Sequence, residues 1–344
     1  MSITPLSRRR RGGPSIQDVA RLAGVSAQTV SRVSTGAGQV RPATRARVEH
    51  AMEQLGYTPN KAARALRSGS FGAIGLLAHR FERTGETLTM GGVIDAAERA
   101  GYSVSLLNVR TSNTESWASA VSRLSHQAID GLAIIRAERT APENLALPAG
   151  LPVAVSDSRL VGHLPAVVTD QMGGARRAVE HLLGLGHHSV HHISGPEDSD
   201  PASMRVIAWQ ETLVQAGIRP PKAWQGDWTP ASGYEIGLQI ARDPNITAVF
   251  CANDEMAFGL MRALHELGRR VPDDISIVGF DGIALTEYSA PPLTTVKQDF
   301  HRIGDELVAM LLARMQSPQQ PPPRRVLIPT ELTVRVSTAP PPPR

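Results

Sequence analysis

From Phe71 onward the chain alternates short apolar runs with amphipathic stretches, and few architectures accept that rhythm. The runs at residues 73–78, 104–109, 131–135, 153–155, 190–193, 248–251 and 275–280 have the near-continuous apolar character of strands buried on both faces. Between them, apolar positions at helical spacing occupy residues 92–100, 174–185, 202–216, 233–240, 255–267 and 300–315. Such alternation predicts an α/β body with parallel sheets. Residues 71–338 supply enough chain for two lobes, with a Pro-rich end at 339–344.

The chain before Phe71 is all helix by pattern. Ser15 can cap a helix carrying Ile16, Val19, Ala20 and Ala23, which Gly24 breaks. Ser26 can cap a second, with Val30 and Val33 inward, after the apolar Val25. Pro42 suits the first turn of a third, whose stripe is Val48, Ala51, Met52 and Leu55 and whose stop is Gly56. A tight Gly-containing turn between the first two makes residues 15–57 a helix-turn-helix head. Residues 1–14 are expected to be a disordered basic tail. Residues 58–70 are expected to form a short hinge helix, ordered only against a partner because one or two turns alone are marginal in water.

Charge separates head from body. The net charge is +4, yet residues 1–69 hold 12 Lys and Arg against 3 Asp and Glu, whereas residues 70–344 hold 24 against 29. A basic head on an acidic body points to a polyanion touched by the head alone. A solvated tail at Arg8–Arg11 accounts for four of those charges but not for Arg32, Arg41, Arg45, Arg47, Lys61, Arg64 and Arg67. No apolar run approaches the ~18 residues of a membrane span, and the basic N-terminus is not followed by a signal-like apolar stretch. The single Cys251 admits no internal disulfide and fits a reducing cytoplasm.

The segments IQDVARLAGVSAQTVSRV and TRARVEHAMEQLGYTPNKAARALRSG resemble the lactose/galactose repressor (LacI/GalR) family of bacterial transcription regulators. The body continues the likeness in VEHLLGLGHHSVHHISGP, GDWTPASGY, VFCANDEMAFGLMRAL, VPDDISIVGFD and PPLTTVKQDFHRIG, over roughly residues 15–337 and nearest to the lactose-type members. The resemblance implies a helix-turn-helix head, a hinge helix and a two-lobed body like the periplasmic sugar-binding proteins. It implies a cytoplasmic transcriptional repressor without enzymatic activity or cofactor, acting on pseudo-palindromic double-stranded operator DNA. Lactose-type members add a C-terminal heptad helix that makes tetramers; its absence here implies a homodimer.

By the same resemblance, Ala27, Gln28 and Arg32 read base edges. Gln pairs bidentately with adenine and Arg with guanine, while Ser26, Thr29 and Ser31 suit cap and phosphate contacts. Ala27 stands where lactose-type members carry a tyrosine, so the operator should differ there. In the hinge, Asn60 and Ala63 lie at the minor groove and Leu66 is the wedge between base steps. Taken without that context, Gln28, Arg32 and Leu66 read equally as ordinary helix residues.

A sugar needs paired donors and acceptors for its hydroxyls and an aromatic plate for its C–H face. The family cleft between the lobes maps these onto Arg205 as forked donor, Asp281 and Asp157 as acceptors, Asn253 as both, and Trp228 as plate. Gln298 and Phe300 line the crossover. The loop at residues 80–89, with Arg80, Glu82, Arg83 and Glu86, departs most from the lactose type and suggests a different or larger ligand. Other roles remain open at these positions: Asp281 as a strand terminator, Trp228 as core, Asp254 as a helix N-cap. Arg205 and Asp281 with a stacking Trp228 would also suit a purine or nucleoside. A sugar-transport protein and a sugar-modifying enzyme fit less well, since one conflicts with the DNA-reading head and the other lacks a nucleophile, metal or phosphate motif. His187, His188, His191 and His192 lack acidic or Cys partners at metal-site spacing, so no metal is expected.

Overall fold

The computed structural model of the chain describes residues 13–35, 39–58, 70–78, 83–108, 129–135, 147–148, 150–156, 160–317 and 325–343. Asn60, Ala63 and Leu66 of the hinge, Asp157, Arg80, Glu82, the basic tail through residue 12 and residues 321–323 lie outside them. Two units divide between Phe71 and Gly72.

In the first unit, α1 (Ile16–Ala23), α2 (Ala27–Thr35) and α3 (Pro42–Leu55) form where the local signals stand. Ser15 and Asp18 close a reciprocal capping box, and Gly24 turns left-handed at φ 62° to end α1. The Ser26 hydroxyl accepts from the Thr29 N–H at 3.2 Å and so starts α2. Pro42 opens α3 and Gly56, at φ 60°, closes it. Val19, Val30 and Val48, one from each helix, are fully buried and with Ala20, Ala23, Val33 and Ala51 make the core.

The second unit holds two six-stranded sheets. The first runs β11-β5-β4-β3-β1-β2 and is parallel throughout, from β1 (Ala73–Ala78), β2 (Ser103–Asn108), β3 (Gly131–Ile135), β4 (Val153–Ser156), β5 (Ala166–Thr169) and β11 (Arg325–Ile328). The second runs β12-β10-β9-β8-β6-β7, from β6 (His191–Ser194), β7 (Trp224–Gln225), β8 (Ala248–Cys251), β9 (Ser276–Asp281), β10 (Thr294–Lys297) and β12 (Glu331–Thr333). The expected parallel sheets form, with β12 at one edge pairing antiparallel with β10. The chain returns from the first lobe between Ile328 and Glu331, a link too short for a parallel crossover.

Helices α4 (Thr84–Arg99) and α9 (Phe300–Gln316) pack on one face of the first sheet. The second sheet lies between α7 (Pro230–Ile240) with α8 (Asp254–Glu266) and α5 (Gln171–Gly184) with α6 (Asp200–Gln215). The chain passes between lobes three times, at 169–171, 297–300 and 328–331. The lobes therefore share three strands of linkage, and the carboxyl ends of their parallel strands face a common cleft. Open α/β sheets bind ligands at such ends.

Residues 84–89 belong to α4, not to a loop. Their polar side chains hid the helix start, because Glu86 and Thr89 face the cleft rather than an apolar core. Among the described residues no helix is long and apolar enough to cross a membrane.

Candidate functional site

The first unit presents α2 outward. Gln28 and Arg32, one turn apart and so on one face, are exposed; Ala27, Thr29 and Ser31 are half-buried. Ser26 is exposed but engaged, its hydroxyl 2.9 Å from that of Thr29 as well as capping the helix. A rigid helix end with Gln and Arg side chains standing off a packed three-helix core has the geometry of a major-groove reader.

In the second unit, a cleft is lined from both lobes, by Arg83, Thr84, Glu86, Ile135, Ser156 and Phe300 on one side and by Gln171, Ser199, Arg205, Trp228, Asn253, Glu255, Asp281 and Gln298 on the other. At its floor lies Arg205. Its Nε donates to Gln171 Oε1 at 2.8 Å, its Nη1 donates to the Ala252 carbonyl, and its Nη2 stands 3.7 Å from Asp281 Oδ1. One face of the guanidinium covers Phe280, 3.7 Å from the ring centroid, and Trp228 lies 5.5 Å away. A buried guanidinium is tolerable only when its donors are matched in this way.

Asp281 ends β9 at φ 112°, a left-handed conformation costly for a residue with a Cβ, and Trp228 sits at φ 76°. Both backbones are over-determined by their surroundings. Asp254, fully buried on α8, accepts from the Ile283 N–H at 3.0 Å and from the Thr295 hydroxyl at 2.5 Å, fixing the turn after Asp281. The Trp228 ring lies against Gly195, where any Cβ would come within 2.4 Å of it. Gln298 Nε2 donates to Asp281 Oδ1 at 2.7 Å, and Gln171 Nε2 to Gln298 Oε1 at 3.3 Å. Burial pushes the Asp281 carboxyl up to about 6, against the opposing pull of Arg205 and of the Gln298 hydrogen bond. Burial, then the Asp281 charge, holds the Asp254 carboxyl well above the ordinary carboxylate range.

Two expectations about α8 change places. Asn253, not Asp254, is the N-cap: its Oδ1 accepts from the Met256 N–H at 3.0 Å, and its Nδ2 donates to the Trp228 carbonyl at 2.9 Å. Asp254 takes the first helical position and turns inward. Asn253 lines the cleft with its amide already engaged, so it positions Trp228 at least as much as it offers itself to a ligand. The structure thus brings Arg205, Asp281, Asn253, Trp228, Gln298 and Phe300 into one cleft, while Asp157 lies outside the described residues.

Gln171 and Glu255 were not anticipated. Gln171 ties Arg205 to Gln298; Glu255 accepts from Thr84 of the opposite lobe at 2.5 Å and from Asn253 at 3.2 Å. Only their position at helix starts after strand ends marks them in the sequence, a signal many residues share.

The histidines fill structural roles. His187 Nε2 donates 3.0 Å to the Ala339 carbonyl and its Nδ1 meets the Thr247 hydroxyl at 2.9 Å. His192 is fully buried, stacked on Phe250 with centroids 4.7 Å apart. Among the described residues no group of three or more His, Cys, Asp or Glu is placed to hold a metal. Cys251 is buried, which pushes its thiol up and leaves it unreactive.

Two family models match, the lacI family of bacterial regulatory proteins at residues 15–60 and the periplasmic binding protein-like domain at 179–338. The lactose operon repressor of Escherichia coli (strain K12) is 34% identical over 331 residues, 95% of this chain and 91% of that protein. The HTH-type transcriptional regulator CelR of Thermobifida fusca is 34% identical over 345 residues, 96% of this chain and all of that one. Among solved structures, the lac repressor dimer bound to operator and the anti-inducer ONPF superposes with a TM-score of 0.86 at 34% identity, covering 95% of this chain and 100% of that chain. The CelR–cellobiose complex superposes with a TM-score of 0.70 at 30% identity, covering 94% and 99%.

Proposed function

This chain belongs to the lacI family of bacterial regulatory proteins and is a DNA-binding transcriptional repressor, and from that premise we propose that it is a homodimer released from a pseudo-palindromic operator by a small sugar. The observation that carries the effector reading is the Arg205–Asp281–Gln298 network facing the Trp228 ring in a cleft between two lobes. It offers a forked donor, a carboxylate acceptor and an aromatic plate together, which is what a pyranose presents in reverse.

In this reading, Gln28 and Arg32 read base edges, with Ala27, Thr29, Ser31 and Ser26 beside them. Asn60, Ala63 and Leu66 of the 58–70 hinge serve the minor groove, Leu66 as the wedge. Asp157 joins the effector contacts. Sugar in the cleft draws the lobes into an arrangement in which the two hinges separate and lose their helices. Linkage then requires operator to weaken sugar binding by the factor by which sugar weakens operator binding. Support comes from solved relatives: CelR is seen in complex with cellobiose, and the lac repressor dimer bound to operator and the anti-inducer ONPF.

The test is selection of duplexes from a random pool by the intact protein at moderate salt, followed by anisotropy titration of the winner with and without a sugar panel. One enriched two-fold symmetric site whose affinity falls on adding sugar is expected. No enriched site would overturn the dimeric operator reading, and tighter binding with sugar would overturn induction. The same stacked ring and carboxylate suit a nucleobase; operator affinity answering adenine or hypoxanthine rather than any sugar would establish that reading instead.

A further inference from the structure

Resting on the dimeric operator reading above, we propose that Asp130 is a positioning residue for operator binding: its carboxylate pins the chain at Gly72, the point from which it leaves the body for the DNA-binding head. Each head is tied to its body by one chain, which enters β1 (Ala73–Ala78) through Gly72, the first residue of the second unit. Two heads must meet one two-fold site together. How freely each chain pivots at its attachment decides how often the second head is in place once the first has bound.

A glycine at such a point is a natural swivel, since it has more conformational freedom to lose than any other residue. Gly72 adopts a left-handed conformation, at φ 65°, just before β1 begins. Its N–H and that of Ala73 both donate to Asp130 Oδ2, at 2.7 and 3.3 Å. Two consecutive amides converging on one carboxylate oxygen make a backbone nest for an anion, and hydrogen bonds to a charged acceptor are about twice as strong as neutral ones. From the other side, the Gly72 carbonyl accepts from the Ser103 N–H at 2.9 Å and from the Ser103 hydroxyl at 3.1 Å. Asp130 immediately precedes β3 and Ser103 begins β2, the two strands that flank β1. Both neighbours of β1 therefore hold the exit residue.

Asp130 is itself fixed. Its N–H donates to the Ala73 carbonyl at 2.8 Å. The next residue, Gly131, packs so closely against α9 that a Cβ there would stand 2.5 Å from Met315 Cε. Met315 lies in the last turn of α9, and Phe300, the first residue of that helix, lines the cleft. A helix of 17 residues, about 25 Å long, thus joins the cleft wall to the strand that follows Asp130. Movement of the first lobe is carried to Gly72 by a packed body, and the carboxylate keeps that movement from being lost in a free rotation of the chain.

The experiment is anisotropy titration of the intact protein, at one salt concentration, with three duplexes: the two-fold site that the parent protein enriches from a random pool, one half of that site, and a random duplex of equal length. Asp130→Ala is expected to weaken binding to the full site by about tenfold or more, part of what a second tethered contact adds. Binding to the half-site and to the random duplex should stay within about twofold, because the DNA-reading helix is untouched. Asp130→Asn keeps an acceptor oxygen and should regain most of the loss. Ser103→Ala keeps the backbone bond to Gly72 and should show a smaller loss. Hydrogen exchange of the Gly72 and Ala73 amides should quicken in Asp130→Ala while that of Leu76 and Leu77 does not. Full-site and half-site affinities that fall together would mark a purely structural role and overturn the positioning one, as would a full-site affinity that stays constant while the two amides are set free. If Asp130→Ala does not fold, the ratio of full-site to half-site affinity in Ser103→Ala decides in the same way. A parent protein that enriches no two-fold site would overturn the dimeric reading and the role of Asp130 with it; an enriched site with an unchanged ratio would overturn the role of Asp130 alone.

Discussion

The guanidinium carbon of Arg205 stands 3.7 Å from the centroid of the Phe280 ring. That contact commits one flat face of the side chain to an apolar surface, and the rim then aims its N–H groups at Gln171, the Ala252 carbonyl and Asp281. Lysine keeps the charge but has neither the plane nor the fork. Arg205→Lys is expected to lower effector affinity by about 1.5–3 kcal/mol, the worth of a hydrogen bond to a charged group. Operator affinity without effector should stay within about twofold of the parent. Calorimetry and operator anisotropy measure the two halves; normal release of operator by the effector would disprove the role given to Arg205.

Asp281 offers two charged acceptor oxygens only while ionised, and its carboxyl is pushed up to about 6, chiefly by burial. Effector affinity should therefore fall on acidification from pH 7 to 5, approaching tenfold per unit below about 6 if only the carboxylate binds. Stability moves the other way for this group. Its folded value lies above the unfolded 3.8, so the folded state holds the proton more tightly between about 4 and 6, and this site gains stability as pH falls through that window. Asp281→Asn should abolish the pH dependence of effector binding. Titrations at several pH values check both, and a flat affinity profile in the parent protein would contradict the assignment.

What could be read from the sequence was what is decided locally. Ser15, Gly24, Pro42 and Gly56 mark helix ends through their own backbone chemistry, and each stands at a boundary in the structure. The apolar run at β1 (Ala73–Ala78) is buried throughout and shows as such. β10 (Thr294–Lys297) did not, because Thr294 and Thr295 are fully buried with polar partners, Ser337 and Asp254, that lie far along the chain. The cleft followed the same rule. Arg205 is a side chain hard to explain as structure, and family resemblance pointed to it, Trp228 and Asp281. Gln171 and Glu255 gain their meaning from Arg205 and Thr84, 34 and 171 residues away, which no local pattern encodes.

On the head, Gln28 and Arg32 are exposed on one face of α2, which is held by the fully buried Val19, Val30 and Val48. Alanine at either position should cost about 1–3 kcal/mol in operator affinity and relax the base preference at one position of each half-site. Salt dependence should change little, because base contacts release few counterions. Binding to a library of singly substituted operators reads this directly. A uniform loss across all operator variants would mark the residue as a phosphate contact instead.

Gly195 leaves room for the Trp228 ring, since a Cβ there would lie 2.4 Å from it. Gly195→Ala should therefore displace the indole, not unfold the lobe. The expected result is a shift in tryptophan emission with a loss of about 1–3 kcal/mol in effector affinity, the usual cost of overpacking. An unchanged effector affinity would remove Trp228 from the binding surface.

His192 lies fully buried on β6, its Nδ1 donating 2.8 Å to the Phe250 carbonyl and its ring stacked on Phe250. Among the described residues its buried Nε2 has no hydrogen-bond partner, so a second proton there would meet no acceptor among them. Burial pushes the imidazole down to about 4, opposed by the Phe250 bond and reinforced by Arg205. The unfolded chain takes up that proton near 6.5 and the folded chain does not, so this site is stabilising above 6.5 and loses that contribution as pH falls toward 4. At about 1.4 kcal/mol per unit, the loss is of order 3 kcal/mol, opposite in sign to the contribution of Asp281 over much of the same range. The two contributions oppose one another between about pH 4 and 6. His192→Asn keeps a donor for the Phe250 carbonyl and removes the titration, at a fixed packing cost at every pH. Denaturant titrations from pH 7 to 4 should then show the variant losing less stability on acidification than the parent; a variant that loses stability in parallel with the parent would show that acid sensitivity originates elsewhere.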